Sequence, residues 1–117
     1  MANEKSVQDL VGEQISAVCF VMDYVEIHFN GMILRCVADP LVWVDGRDFM
    51  FPGEGSRDAL CSLINNEVSR IELVEGSHCK LGTDRGHLLT VPLDENSKRG
   101  HESMHFLPYM DGPLQVW

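Results

Sequence analysis

His101-Glu102-Ser103-Met104-His105 spells H-E-x-x-H. On a helix this spacing sets two imidazoles on one face to share a zinc ion, with the glutamate as general base. Two features oppose that here. Gly100 precedes the motif, Pro108 closes it, and no capping residue opens it, so at most two turns of helix fit. As an extended strand the two histidines stand about 13 Å apart, at roughly 3.3 Å per residue, too far for one ion. We therefore read the motif as a coincidental match on a strand, with no catalytic and no metal-ligating residue assigned. On that strand His101, Ser103 and His105 share the outer face, Met104 and Phe106 face the core, and Glu102 sits at its edge. A surface histidine pair holding an ion against another strand is the remaining metal reading. His28, His78 and His87 read as scattered strand-surface residues.

The other chemically capable residues are as sparse. Cys19, Cys36, Cys61 and Cys79 form no C-x-x-C pair, and each sits in an apolar run, which predicts buried, protonated thiols. Gly53-Glu54-Gly55-Ser56-Arg57-Asp58 places glycines before a helix, but no lysine follows and its acids repel anions. No nucleophile elbow, phosphate loop or dinucleotide fingerprint occurs. The expectation is a non-enzymatic protein with no cofactor.

One cluster suits binding better than catalysis. Trp43, Asp45, Asp48, Phe49 and Glu54 crowd one hairpin and the loop after it. An aromatic anchor beside carboxylates fits a basic protein partner. Net charge is −9, from 18 acidic and 9 basic residues. That excess argues against nucleic acid and against anionic membrane surfaces. The polar start, MANEKSVQDL, and the absence of a long apolar run add up to a cytoplasmic chain.

The elements that must position these residues come from an internal match. Leu10-to-Val21 aligns without a gap on Leu63-to-Val74: Leu10 with Leu63, Ile15 with Val68, Ser16 with Ser69, Val18 with Ile71, Phe20 with Leu73, Val21 with Val74. Val25 and Ile27 then match Cys79 and Leu81, Asn30-Gly31 matches Asp84-Arg85-Gly86, and Ile33-Leu34 matches Leu88-Leu89. Each copy reads as a three-stranded meander, over 15–21, 25–29 and 32–37, and over 69–74, 78–81 and 87–92. Alternating apolar residues and an Asn-Gly hairpin signal support this. A further hairpin, with its turn at Asp45-Gly46 and a return strand carrying Phe49 and Phe51, follows the first copy. The chain's last hairpin, with its turn at Asp111-Gly112, is its counterpart. Between the copies Ser56 caps a helix over 57–66, with Leu60, Leu63 and Ile64 on one face and Asn65-Asn66 ending it.

The 117 residues thus read as one domain, mainly β within the α+β class. Two duplicated meander units, about 10–51 and 63–117, form a small barrel or sandwich with one helix packed on it, and residues 1–8 are a flexible lead-in. The duplicated L-x-G/N-x-x-V/I-S-x-V pattern, followed by the N/D-G turn and an E-S strand at Glu102-Ser103, resembles small bacterial proteins of uncharacterised families. Compact acidic proteins of this general kind include immunity proteins encoded beside toxins. That resemblance implies stoichiometric occlusion of a basic toxin. A structural or adaptor domain that self-associates as a homodimer through an open sheet edge, and a barrel for a small molecule or metal, are the alternatives.

Overall fold

The computed structural model describes residues 5–109 and 114–117. The strands are β1 (Ala17–Val21), β2 (Tyr24–Phe29), β3 (Met32–Cys36), β4 (Leu41–Val44), β5 (Arg47–Met50), β6 (Val68–Val74), β7 (His78–Thr83), β8 (Leu88–Pro92), β9 (Met104–Leu107) and β10 (Gln115–Val116). They form two antiparallel five-stranded sheets, ordered β1-β2-β3-β9-β10 and β5-β4-β8-β7-β6. The inward residues of both sheets belong to one buried cluster, with Ile27, Phe29, Leu34 and Phe106 from the first and Val42, Leu81, Leu89 and Val91 from the second. The fold is therefore a β-sandwich. Among the described residues no helix is long and apolar enough to cross a membrane.

Alternation explains the strands. In β2, Val25, Ile27 and Phe29 are buried while Tyr24, Glu26 and His28 are half-exposed. In β3, Met32, Leu34 and Cys36 are buried and Ile33 and Arg35 are not. Asn30 takes a positive φ of 49° beside Gly31, the conformation that a tight hairpin demands.

The two sheets share one plan. Each is a meander extended, at its third strand, by a hairpin from the other half of the chain: β9-β10 completes the first sheet and β4-β5 the second. The matched positions sit alike. Leu10 and Leu63, Ile15 and Val68, Val25 and Cys79, Ile27 and Leu81, and Leu34 and Leu89 are all buried. The segments leading into β1 and β6 also bond reciprocally. Gly12 N–H donates to Val68 O as Asn65 N–H does to Ile15 O, and Ile15 N–H donates to Asn66 O as Val68 N–H does to Glu13 O.

Several expected boundaries are corrected. The α-helix, α1, is Ser56–Cys61, not 57–66. Beyond it Leu63, Ile64 and Asn66 donate to carbonyls three residues back, so the chain tightens into turns. Asn65, at φ 74°, then reverses it, as its amide side chain allows. Ile64 is consequently exposed. Gly55, at φ 79°, takes the N-cap position, and Ser56 is buried, its Oγ donating to Gly53 O. Phe51 lies past the end of β5, in a turn, although it is buried. The lead-in is structured from Lys5 onward. A 3-10 turn, Val7–Leu10, is capped by Ser6 and Asp9 and buries Val7 and Leu10. The turn expected at Asp111-Gly112 lies outside the described residues.

Candidate functional site

The outer face of the second sheet carries two adjoining recesses. Strand register sets two rows across it. One runs Asp48, Trp43, Leu88, Gly82, Arg70, and the next runs Met50, Leu41, Thr90, Lys80, Glu72. Trp43 is 41% exposed and Met50 57%. A solvated sheet face usually carries polar side chains, so indole, thioether and two leucines at its centre are a departure. An open recess of about 250 Å³ lies among Leu41, Trp43, Asp48, Leu88 and Thr90. A second, of about 400 Å³, continues from Leu41 and Thr90 to Met50, Pro92, Asp39 and Arg99. Sharing Leu41 and Thr90, the two make one groove.

Three acidic residues gather at one end of this face. Asp39, Asp45 and Asp48 stand at the β4-β5 end. Asp39 accepts from Arg99 Nη2 at 2.6 Å, and Asp45 Oδ1 lies 3.7 Å from His87 Nε2. Asp48 has no such partner among the described residues. At the opposite end Arg70 lies across Gly82, where a Cβ would come within 2.8 Å of its Nε.

The five residues singled out in the sequence divide between faces. Trp43 and Asp48 are direct cross-strand neighbours beside the groove. Phe49 pairs with inward-facing Val42 and packs against the core, with the Arg47 guanidinium 5.2 Å from its ring, so it is no part of the outer surface. Asp45 is in the hairpin turn, 89% exposed, and Glu54 is exposed in the loop before α1. Proximity in sequence grouped residues that the two-residue period of a strand sets on opposite faces. Leu88 and Thr90 were missed. Their signal was a strand, LLTVP, with apolar residues on both faces: Leu89 and Val91 are buried, and Leu88 and Pro92 need another explanation.

HESMH does not form a helix, but the strand starts later than expected, at Met104. Met104 and Phe106 are buried, as their alternation requires. Ser103 is fully buried, not on the outer face, because its N–H turns to Trp117 O and its own carbonyl accepts from Val37 and Ala38. Its Oγ has no hydrogen-bond partner among the described residues. His105 instead joins Glu26 and Arg35 in a row across the first sheet. Arg35 Nη1 donates to His105 Nδ1 at 3.0 Å, and His105 Nε2 donates to Glu102 Oε1 at 2.8 Å. Arg35 holds no proton-accepting nitrogen, so these contacts set the tautomer and occupy both ring nitrogens. Arg35 Nε also donates to Glu26 Oε2 at 2.8 Å, and His28 Nε2 lies 3.1 Å from Glu26 Oε1. Burial opposes ionisation of Glu26, but the bonds from Arg35 and His28 outweigh it and hold its pKa below the usual carboxylate range. Among the described residues no three His, Cys, Asp or Glu side chains converge as a metal site.

His87 is not a free surface histidine either. Its Nδ1 donates to Asn66 Oδ1 at 3.0 Å, and the same oxygen accepts from Thr83 Oγ1 at 2.9 Å. Of the four thiols, two match the expectation of burial. Burial raises the Cys79 pKa to about 12 and, with Cys79 nearby, that of Cys36 still further. Cys19 is half-buried and Cys61 exposed, because Cys61 ends α1 on the side away from the core.

No protein-family model, curated protein or solved structure matches this chain.

Proposed function

We propose that this chain is a non-enzymatic protein-binding domain that receives its partner on the outer face of the second sheet. The observation that carries this reading is Trp43, exposed on an open sheet face above a groove and directly opposite Asp48, whose carboxylate has no partner among the described residues. Aromatic side chains anchored in recesses dominate binding energy at protein interfaces, and charges at the rim steer the encounter. The net charge of −9 and the acids at the β4-β5 end favour a basic partner. An immunity protein that neutralises a basic toxin by occluding its cationic cleft fits this reading, with the cytoplasm as its site of action. Duplication of one meander-plus-hairpin unit accounts for the common plan of the sheets.

The test is purification of the tagged chain at low salt, followed by identification of any stoichiometric companion. A single basic protein, released by salt and lost from Trp43→Ala, is the expected result. A companion retained equally by Trp43→Ala would place the interface elsewhere. A second reading, a homodimer through a sheet edge, is favoured by β1, whose AVCFV sequence carries no charge and ends beside Met22, 96% exposed. Sedimentation that depends on concentration would support it.

A further inference from the structure

We infer that the recess between Trp43 and Asp48 is a subsite for one cationic side chain, the arginine or lysine of a bound protein. The inference rests on the protein-binding reading above and adds what the partner must present there. Three observations carry it. First, Asp45-Gly46 closes the hairpin, which makes Trp43 and Asp48 a cross-strand pair with side chains on one face and Cβ atoms about 5 Å apart. An exposed indole and a carboxylate therefore border the same opening.

Second, among the described residues the nearby charges other than Asp48 are already committed. Arg99 is held by Asp39 and Asp23, and Arg47 lies over Phe49 on the opposite face. Neither neutralises Asp48, which is exposed and has no side-chain partner among the described residues. Third, the floor is apolar, from Leu41 and Leu88, with Thr90 as the one hydroxyl. The methylenes of an arginine or lysine can lie along such a floor while the charged end meets the carboxylate. A cation there also faces the indole, whose π-face attracts it. An anionic side chain would meet Asp48 unscreened, and a purely apolar one would bury that carboxylate without a partner. The bases of this face agree, because Lys80 on β7 and Arg70 on β6 lie two and three strands from β4 and do not border the recess.

The test is a titration of the full chain, labelled with ¹⁵N, at low salt. The probes are the capped tripeptide glycine-arginine-glycine and its citrulline counterpart, which has the same shape without the charge. The chain has two tryptophans, so two indole N–H signals are seen, and Trp43→Phe assigns them. The expected result is a saturable shift of the Trp43 indole with the arginine peptide, at least fivefold weaker with citrulline, and little change at Trp117. Asp48→Asn should reduce the arginine response to the citrulline level, whereas Glu13→Gln, a half-buried acid that borders a different recess, should not. Equal responses to the two peptides, or an unchanged response in Asp48→Asn, would overturn the subsite. A Trp43 shift that follows protein concentration instead of peptide would overturn it as well, since a second copy would then fill the groove. Failure of the wider reading looks different. If the peptide binds as expected but no protein companion is found, the subsite stands and the partner proposal falls.

Discussion

At the scale of single residues, environment sorts side chains that look equivalent in the sequence. All four cysteines sit in apolar runs, yet a strand and a helix end treat them differently. Under native conditions a maleimide should label Cys61 quickly, Cys19 more slowly, and Cys36 and Cys79 only after denaturation, as mass spectrometry of digests would read. Native labelling of Cys36 would contradict its full burial. Glu26 makes a second case. Its folded-state pKa is lowered, so its contribution to stability is complete above the unfolded-state value and fades as pH falls through the folded-state value. Glu26→Gln should therefore cost about 1 kcal/mol at pH 7. The gap should close in strong acid, where wild-type Glu26 is itself protonated. Urea denaturation at the two pH values checks this.

At the scale of elements, much was legible, and for an identifiable reason. Strands with one buried face betray themselves by alternation, and β2 and β3 sit within a residue of their expected bounds. Asn30-Gly31 and Asp45-Gly46 marked their turns because few other residues accept positive φ. The helix was over-extended because apolar spacing continues through Leu63 and Ile64, and spacing does not report whether bonds run to the third or fourth residue back. The candidate cluster was legible in part as geometry. Trp43 and Asp48 do lie side by side across the hairpin, while Phe49 falls on the opposite face, which sequence proximity did not show. The loop into α1 offers a test at this scale. Gly55→Ala must hold φ near 79° and also places a Cβ 3.0 Å from the Phe49 ring. Gly76→Ala has a similar φ, 74°, and open space around it. The backbone term alone is about 1 kcal/mol, so Gly55→Ala should destabilise clearly more than Gly76→Ala in thermal melts.

At the scale of the whole molecule, the exchange of hairpins decides how the chain can be divided. Residues 1–53 contain the first meander and the hairpin that completes the other sheet. Residues 54–117 contain the reverse. Each fragment alone should lack a cooperative unfolding transition by circular dichroism. Mixed or co-expressed, they should recover one. A cooperative transition in either fragment by itself would show that a meander folds without its borrowed hairpin. The internal match led to an expectation of two like units but not of this exchange, because sequence similarity does not record which sheet a hairpin enters.

The exchange also bears on synthesis. Domains usually begin to fold as the chain leaves the ribosome. Here β3 gains its neighbour β9 only when residues 104–107 emerge, and β4 waits for β8, at residues 88–92, before it has a sheet to join. The nascent chain therefore carries naked strand edges through most of its elongation, and a ribosome stalled between β8 and β9 would display β3 unpaired. Any factor that binds exposed strands during translation has its longest opportunity on this β3 edge.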